Sequence, residues 1–546
     1  MNKHTLSVAI NFLFCTPISG GTPDGIYHKG WIDFNKNGKM DLYENPKAPL
    51  EDRVQDLLSQ MTLEEKTCQM ATLYGSGRVL KDALPQENWK TEIWKDGIGN
   101  IDEEHNGLGK FRSEYAFPYT RHVDTKHAIQ RWFIEETRLG IPVDFTNEGI
   151  RGLCHDRATY FPAQCGQGAT WNKELIARIA EVEAREADAL GYTNIYSPIL
   201  DISQDPRWGR CVETYGEDPY LTSRMGVAVV KGLQGPDSAR YDKLHACAKH
   251  FAVHSGPEWN RHSFNAENIA PRDLWETYLP AFKTLVQEAD VKEVMCAYNR
   301  FEGDPCCGSN RLLTQILRDE WGFNGIVVSD CGAISDFWGA KKHNTHPDAA
   351  HASADAVLSG TDLECGSNYR KLTDAVKAGI ISEEQIDISV KRLLKARFEL
   401  GEMEESHPWA LPYSIVDCPE HRHLALQIAH ETMTLLQNKE NILPLDKHAK
   451  VAVIGPNAND SVMQWGNYNG TPSHTSTLLS ALRSKLPAAQ LIYEPVCGLT
   501  DDITFNSLFN QCSYHAKPGF TATYWNNPDF KGEADATVQL STPFRF

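Results

Sequence analysis

Five apolar runs in the first 330 residues each end in polar or ionisable side chains. The residues at or just after these ends are Asn147-Glu148, Asp201 with Asp205–Arg210, Lys249-His250, Tyr298-Asn299 and Ser329-Asp330. A single residue of this kind can simply cap a helix or complete a loop. Five similar endings indicate a shared pocket that contains carboxylates, cations, a histidine and a tyrosine.

The residue types in this pocket favour chemistry on sugars. Carboxylates with donors and aromatic rings are typical of sites that hold sugar hydroxyls. An ionised carboxylate below an anomeric carbon stabilises an oxocarbenium-like transition state and can form a covalent glycosyl intermediate. Glu148 and Asp330 supply the carboxylates, and the endings contain neither a thiolate–histidine pair nor a phosphate-binding glycine loop. We therefore expect glycoside hydrolysis.

The surrounding pattern predicts the elements that position these residues. Between about residues 50 and 400, short β-type runs alternate with helical patterns, which is typical of βα units around a parallel sheet or barrel. Asn172 is expected to cap one helix, Pro271 to open another, and Ser382 with Gln385 to form a capping box. The carboxyl ends of parallel barrel strands meet at one face, so the five endings would converge there.

A second α/β segment is predicted beyond the barrel. The stretch Glu404–His421 contains three prolines and no clear periodicity, which indicates an interdomain linker. After it, Val451–Ile454 is expected to form a buried strand.

Composition limits the partners and the cellular location. The 546 residues carry a net charge of −18, which argues against nucleic-acid or membrane-surface binding and favours a neutral substrate. No stretch is long and apolar enough to predict a membrane span, whereas Lys3 and His4 before Leu6–Phe14 predict a signal peptide and export. The 14 irregularly spaced cysteines indicate buried thiols with a few disulfides of undetermined connectivity.

At these residues the sequence resembles glycoside hydrolase family 3. The matching motifs are Arg53–Lys66, Asn147-Glu148-Gly149, Asp205–Arg210, Glu213–Pro219, Lys249-His250-Phe251, Met295–Asn299 and Val328-Ser329-Asp330. The resemblance implies an α/β protein with a (β/α)8 TIM-like barrel, a following α/β sandwich domain and retention of anomeric configuration. It implies no cofactor for catalysis.

The resemblance also implies roles for individual residues. Asp330 matches the catalytic nucleophile, and Tyr298 matches a tyrosine that hydrogen-bonds near it. The residues that match the ring holding the sugar hydroxyls are Glu148, Arg210, Lys249 and His250. The family's general acid is a glutamate of the second domain, but Glu440, Glu494 and Glu533 lack a matching context, so we expect the acid outside this chain.

Departures from the glucosidase pattern favour one branch of the family. Glucosidase-like members have Asp at the position of Glu148 and usually Trp at the position of Cys331. The Glu and Cys of this chain, together with Trp259 and the nearby Phe264-Asn265-Ala266, resemble the β-xylosidase and α-arabinofuranosidase branch. The extra methylene of Glu148 would fill space that a hexose needs for its C5 hydroxymethyl. Xylose is thus the first expectation, glucose the second and arabinose the third. Sequence drift at Glu148 and a carbohydrate-binding protein on an impaired hydrolase scaffold are the alternatives.

Residues Asp33–Glu44 match the calcium-loop pattern D-x-[DN]-x-[DN]-G-x5-E. The expected oxygen ligands are Asp33, Asn35, Asn37, Asp41 and Glu44. The pattern therefore predicts a structural Ca²⁺, with an ordinary polar turn as the alternative.

Near the C-terminus, Gly519–Pro528 with Gly532 resembles the opening strand of a PA14 domain, a β-sandwich sometimes inserted into the second domain. The predicted organisation is a signal peptide (1–20), an arm with the calcium-like loop (21–50), the barrel (51–402), a linker (403–425), the first part of the sandwich domain (426–515) and the start of a PA14-like domain (516–546).

Overall fold

The computed structural model describes residues 25–75, 84–91, 93–104, 118–404, 411–496, 513–514, 517–525, 527 and 530–540. The predicted signal peptide lies outside these residues. None of the helices in the described ranges is long and apolar enough to cross a membrane.

Eight parallel strands form a nearly closed barrel. In chain order they are β1 (Ala71–Tyr74), β2 (Asn100–Asp102), β3 (Asp144–Glu148), β4 (Asn194–Tyr196), β5 (His245–Phe251), β6 (Glu293–Cys296), β7 (Ile326–Ser329) and β8 (Glu364–Cys365). The strand order runs from β7 down to β1 and then to β8, and the parallel bridge between Val328 and Leu363 joins the two edges. The predicted barrel is confirmed.

Helices alternate with these strands along the chain and follow the predicted caps. The side chain of Asn172 accepts a 3.1 Å hydrogen bond from the Leu175 amide, and the Ser382 amide donates a 3.0 Å hydrogen bond to Gln385. The helical segments from the barrel region are Leu50–Gln60, Leu63–Gln69, Arg121–Glu136, Gln164–Ala169, Lys173–Leu190, Pro219–Gln234, Pro271–Asp273 continuing as Leu274–Tyr278, Pro280–Ala289, Arg311–Glu320, Ala333–Trp338, Ala349–Ser359, Leu372–Lys377 and Glu383–Glu399.

Every residue of β3, β5, β6 and β7 is buried. Strands of a parallel barrel are covered on both faces, which explains their nearly continuous apolar runs. The interior also contains an ion pair, in which Arg397 Nη1 lies 2.6 Å from Asp144 Oδ2. Each partner of this pair compensates the buried charge of the other.

After the barrel, a short 3-10 helix at Tyr413–Ile415 precedes the α-helix Pro419–Glu431, whose first part lies in the predicted linker. Leu424 and Ile428 on this helix are buried with the barrel core. The predicted strand Val451–Ile454 is present and pairs in parallel with Leu491–Glu494, while the helix Leu478–Lys485 connects them.

The expectation that this strand is buried is wrong. Val453 is buried, but Ile454 is 69% exposed and Ile492 on the partner strand is 64% exposed. Within the described residues this sheet has two strands, so apolar side chains on its outer face have no layer to pack against. An apolar run predicts burial only if a complete second layer is present.

The smaller strand pairs lie outside the barrel sheet. The antiparallel pair Phe520–Tyr524 and Ala536–Leu540 lies in the segment predicted to begin a PA14-like domain. The other short strands are Tyr27–His28 with Trp31–Ile32, Asn265–Ala266 with Arg300–Phe301 and Asp304–Pro305, and Ser513–Tyr514 with Lys517–Pro518.

Candidate active site

The structure gathers the predicted polar endings at the carboxyl ends of the barrel strands. Glu148 is the last residue of β3, Lys249 and His250 lie near the end of β5, and Asp330 directly follows β7. All four are buried, with exposed fractions of 1% to 7%. The barrel topology therefore brings residues that are far apart in sequence to one buried cluster.

The Asp330 carboxylate is held through one oxygen. The Cys331 amide donates a 2.8 Å hydrogen bond to Oδ1, and the Asp330 amide donates to the Cys296 carbonyl at 3.1 Å. Oδ2 has no hydrogen-bond partner among the described residues and lies 3.7 Å from His250 Nε2. One oxygen of the carboxylate is thus hydrogen-bonded to the backbone, and the other lies next to His250.

Charged neighbours modulate the acidity of Asp330. Burial raises the pKa of its carboxyl above the usual range, while Arg210 and Lys249 oppose that rise. Lys249 Nζ donates a 2.6 Å hydrogen bond to Glu148 Oε2. Burial alone would lower the pKa of Lys249, but the adjacent Glu148 carboxylate raises it overall, so Lys249 is a cation beside the nucleophile candidate.

Arg210 is fixed by a carboxylate three residues along the chain. Its Nη2 and Nε lie 2.7 and 2.9 Å from Glu213 Oε2, and both side chains are buried. Arg210 Nη2 also lies 3.4 Å from His250 Nε2. Glu213 belongs to a motif that the sequence showed, but its role as the partner of Arg210 was missed, although their i,i+3 spacing could have indicated it.

His250 links the cluster to the segment that follows β4. Its Nδ1 lies 2.7 Å from Asp201 Oδ2. Burial, reinforced by the Arg210 charge, lowers the pKa of His250 well below its usual value. His250 is therefore a neutral ring, with Asp201 at its Nδ1 and with Arg210 and Asp330 near its Nε2.

Tyr298 and two cysteines form the wall beside Asp330. The Tyr298 hydroxyl donates a 2.8 Å hydrogen bond to the carbonyl of Cys331, the residue after Asp330. Cys331 forms a disulfide with Cys365, and Cys296 forms a second one with Cys307. The Cys331–Cys365 disulfide joins the end of β7 to that of β8 at the edge of the cluster.

The second domain contributes a tyrosine that sequence reasoning missed. The Tyr468 hydroxyl accepts a 3.2 Å hydrogen bond from Arg210 Nη2, and its ring centroid lies 4.8 Å from Lys249 Nζ. The neighbouring Asn467 donates a 2.6 Å hydrogen bond to Glu213. The two hydrogen bonds join residues 254 and 258 positions apart in the sequence, and no local pattern signals them.

Two family models cover most of the chain. The model of the glycosyl hydrolase family 3 N terminal domain matches residues 62–396, and the model of the family 3 C-terminal domain matches residues 433–540. The chain belongs to glycoside hydrolase family 3. The barrel with its buried cluster lies in the part matched by the first model, and Tyr468 lies in the part matched by the second.

Curated relatives of this family 3 chain include two xylosidases. A xylan 1,4-beta-xylosidase of Xylanibacter ruminicola is 48% identical over 74% of this chain and 50% of the relative. A beta-xylosidase/alpha-L-arabinofuranosidase of Medicago sativa subsp. varia is 34% identical over 67% of this chain and 50% of the relative. The chain spans about half the length of these relatives.

Solved structures of two glycosidases resemble the family 3 chain. A β-glucosidase from Erythrobacter marinus has a TM-score of 0.75 at 27% sequence identity. The match covers 92% of this chain and 63% of the glucosidase chain. A family 3 exo-β-xylosidase in complex with a xylobiose aziridine probe has a TM-score of 0.66 at 29% identity, over 83% of this chain and 53% of its own.

Trp259, the remaining predicted binding residue, lies apart from the buried cluster of this family 3 chain. Its side chain is 88% exposed on the segment that follows β5. The adjacent Glu258 accepts a 2.9 Å hydrogen bond from Trp208 Nε1, which fixes the segment but not the Trp259 ring. A role for Trp259 in substrate binding stays a prediction.

The calcium-like loop precedes the barrel. Asp33 and Glu44 are buried, and their carboxylates accept hydrogen bonds from backbone amides of the loop. The side-chain amides of Asn35 and Asn37 both donate to Asp41 Oδ2. The five predicted ligands therefore belong to one compact turn. The oxygens of the loop accept hydrogen bonds from the loop's own amides, and calcium binding at these five residues stays a prediction.

Proposed function

We propose that the buried cluster hydrolyses terminal β-linked sugars with retention of configuration. The observation that supports this most directly is the Asp330 carboxylate. Its Oδ1 accepts a hydrogen bond from the Cys331 amide, and its Oδ2 has no hydrogen-bond partner among the described residues. The cations of Arg210 and Lys249 act on the same carboxylate. Such a carboxylate suits nucleophilic attack because it requires no reorientation.

In the proposed first step, Asp330 Oδ2 attacks the anomeric carbon and forms a glycosyl ester while the bond from that carbon to the leaving oxygen breaks. A general acid protonates the leaving oxygen, and we assign this role to no residue of the described ranges. In the second step, the deprotonated form of that acid takes a proton from water, whose oxygen attacks the anomeric carbon. The ester bond breaks, and the Asp330 carboxylate and the acid are regenerated. No cofactor enters either step.

The glycone pocket is proposed to favour xylose. Glu148, paired with Lys249, projects one methylene further into the pocket than an aspartate would, and the Cys331–Cys365 disulfide lines the side next to Asp330. Both features reduce the room for a C5 hydroxymethyl. The xylosidase names of the relatives support xylose as the first candidate. The similarity to a β-glucosidase structure supports glucose as the second, and arabinose is the third.

We propose an exported enzyme with a structural calcium at Asp33–Glu44, a sandwich-type second domain, and a PA14-like segment that starts at 516. The hairpin Phe520–Tyr524 with Ala536–Leu540 is compatible with a β-sandwich, but the family 3 C-terminal model extends over the same residues.

Three measurements test the function. The chain is assayed on 4-nitrophenyl β-D-xyloside, β-D-glucoside and α-L-arabinofuranoside, whose nitrophenolate leaves without much protonation. NMR of the first-formed sugar anomer should show retention. A 2-fluoroxyloside should label Asp330 covalently, Asp330→Asn should abolish the label, and Asp319→Asn on the exposed face of a barrel helix should not.

Other results would overturn parts of the proposal. A label on Glu148 would remove Asp330 from the nucleophile role. Sugar binding without hydrolysis of any nitrophenyl glycoside would favour the carbohydrate-binding alternative. Inversion of the anomer would exclude the covalent intermediate.

A further inference from the structure

A segment of the second domain, residues 465–471, is hydrogen-bonded to the barrel loop that follows β3. We name it the capping segment. Arg151 Nη1 donates a 2.8 Å hydrogen bond to the Trp465 carbonyl, and the Arg157 amide donates at 3.1 Å to the Thr471 carbonyl. The Gly470 amide donates to the Tyr160 hydroxyl. Both ends of the capping segment are therefore attached to barrel loops.

The middle of the capping segment fits closely against the barrel. A Cβ atom at Gly470 would lie 2.4 Å from the carbonyl carbon of His155 and 2.5 Å from the Asp156 amide nitrogen, so only glycine permits this approach. Two residues earlier, Tyr468 has a φ of 51°, in the left-handed region that side-chain-bearing residues rarely adopt. A strained residue held by its surroundings in this way suggests a function for the direction of its side chain.

That side chain is directed into the cluster of charged groups. Its hydroxyl oxygen accepts from Arg210 Nη2 at 3.2 Å, and its ring covers Lys249 Nζ at 4.8 Å from the centroid. Burial, together with the adjacent Glu148 carboxylate, raises the pKa of the phenol, so Tyr468 keeps its proton. Because the oxygen accepts from Arg210, the phenol proton is available to a sugar hydroxyl.

We propose that Tyr468 is a specificity-determining residue that closes the sugar pocket from the second domain. Its ring lies against Lys249, which pairs with Glu148. Since the proposed function assigns Glu148 to the C5 side of the sugar, the ring would meet the C5 hydroxymethyl of a hexose there. The ring thus keeps the pocket at pentose size, and the capping segment holds the ring in place. This inference rests on the proposed glycosidase function and adds the residue that enforces its substrate class.

The test compares Tyr468→Ala and Tyr468→Phe with the unmodified chain on 4-nitrophenyl β-D-xyloside and β-D-glucoside. Removal of the ring should raise the glucoside-to-xyloside ratio of kcat/KM by about 10- to 200-fold. The phenylalanine variant keeps the ring, so its ratio should stay close to that of the unmodified chain while KM for the xyloside rises a few-fold. Tyr220→Ala, at a 72% exposed tyrosine on the barrel surface, is the matched control.

The outcomes separate this inference from the proposed function. An unmodified chain that hydrolyses neither glycoside overturns both. An active chain whose ratio is the same after Tyr468→Ala overturns only the role of Tyr468. If the alanine variant does not fold, as judged by thermal unfolding, Tyr468→Leu replaces it. An increased ratio in the leucine variant supports the inference, and an unchanged ratio contradicts it.

Discussion

Lys249 Nζ and Glu148 Oε2 lie 2.6 Å apart and join strands β5 and β3 within the barrel. Both side chains are buried, so neither charge is stabilised by bulk water. Loss of one partner leaves an uncompensated buried charge, which is far more destabilising than loss of the whole pair. The pair is thus both a structural link and part of the pocket that we propose for the sugar.

Glu148→Asp should increase glucoside turnover relative to xyloside turnover. The shorter carboxylate still faces Lys249 but leaves room for a C5 hydroxymethyl, and such a change in a packed pocket is worth on the order of 1–3 kcal/mol of discrimination. The ratio of kcat/KM for the two nitrophenyl glycosides measures it, with Glu217→Asp at an exposed position as the control. An unchanged ratio would mean that other residues, such as those around Trp259, set specificity.

Lys249→Gln should move the acid limb of the kcat/KM profile to higher pH. Asp330 attacks only when ionised, so activity is present above its pKa and disappears as the pH falls through it. Burial raises this pKa and Lys249 opposes the rise, so loss of the cation raises it further. A pH profile on 4-nitrophenyl β-D-xyloside measures the shift. The exposed Lys173→Gln should leave the limb in place, and a downward shift in Lys249→Gln would contradict the assignment.

Calcium added to chelator-treated protein should raise the melting temperature. A ligand that binds only the folded state stabilises it by mass action. Asp33→Asn, at a buried first ligand of the loop, should remove the shift, while Asp52→Asn on the exposed face of the next helix should retain it. No shift at millimolar calcium, or an equal shift in both variants, would identify the loop as an ordinary turn.

Arg397→Met should destabilise the barrel strongly. It leaves Asp144 buried without its 2.6 Å partner, and breaking a buried pair in this way typically costs about 3–5 kcal/mol. Denaturant unfolding followed by tryptophan fluorescence measures the change. Arg131→Met, whose side chain is 70% exposed beside Glu135, should have little effect. Equal unfolding midpoints for the two variants would contradict the structural role of the pair.

The sequence predicts the part of the site that lies in the barrel, because each barrel strand can be recognised from its own residues. Each β-type run can be recognised alone, and parallel strands bring their carboxyl ends together, so Glu148, Lys249 and Asp330 are expected to meet. The hydrogen bond between Arg210 and Tyr468 spans 258 residues and depends on how the second domain rests on the barrel, which no local pattern encodes. Ile454 shows that a local pattern can also mislead. Its apolar run predicts burial, but no neighbouring layer among the described residues covers it.

The disulfide between Cys331 and Cys365 should limit local opening of the barrel. Its two cysteines are 34 residues apart, and it crosses the seam between β7 and β8, where the bridge between Val328 and Leu363 joins the two edges of the sheet. In the chain-entropy description, a disulfide that closes a loop of this size raises the free energy of the unfolded ensemble by about 3–4 kcal/mol. The peptide that carries the nucleophile candidate is adjacent to one end of that bond. Amide hydrogen exchange around Asp330 should therefore accelerate when the bond is reduced, while exchange in β3 and β4 on the opposite side of the barrel should change little.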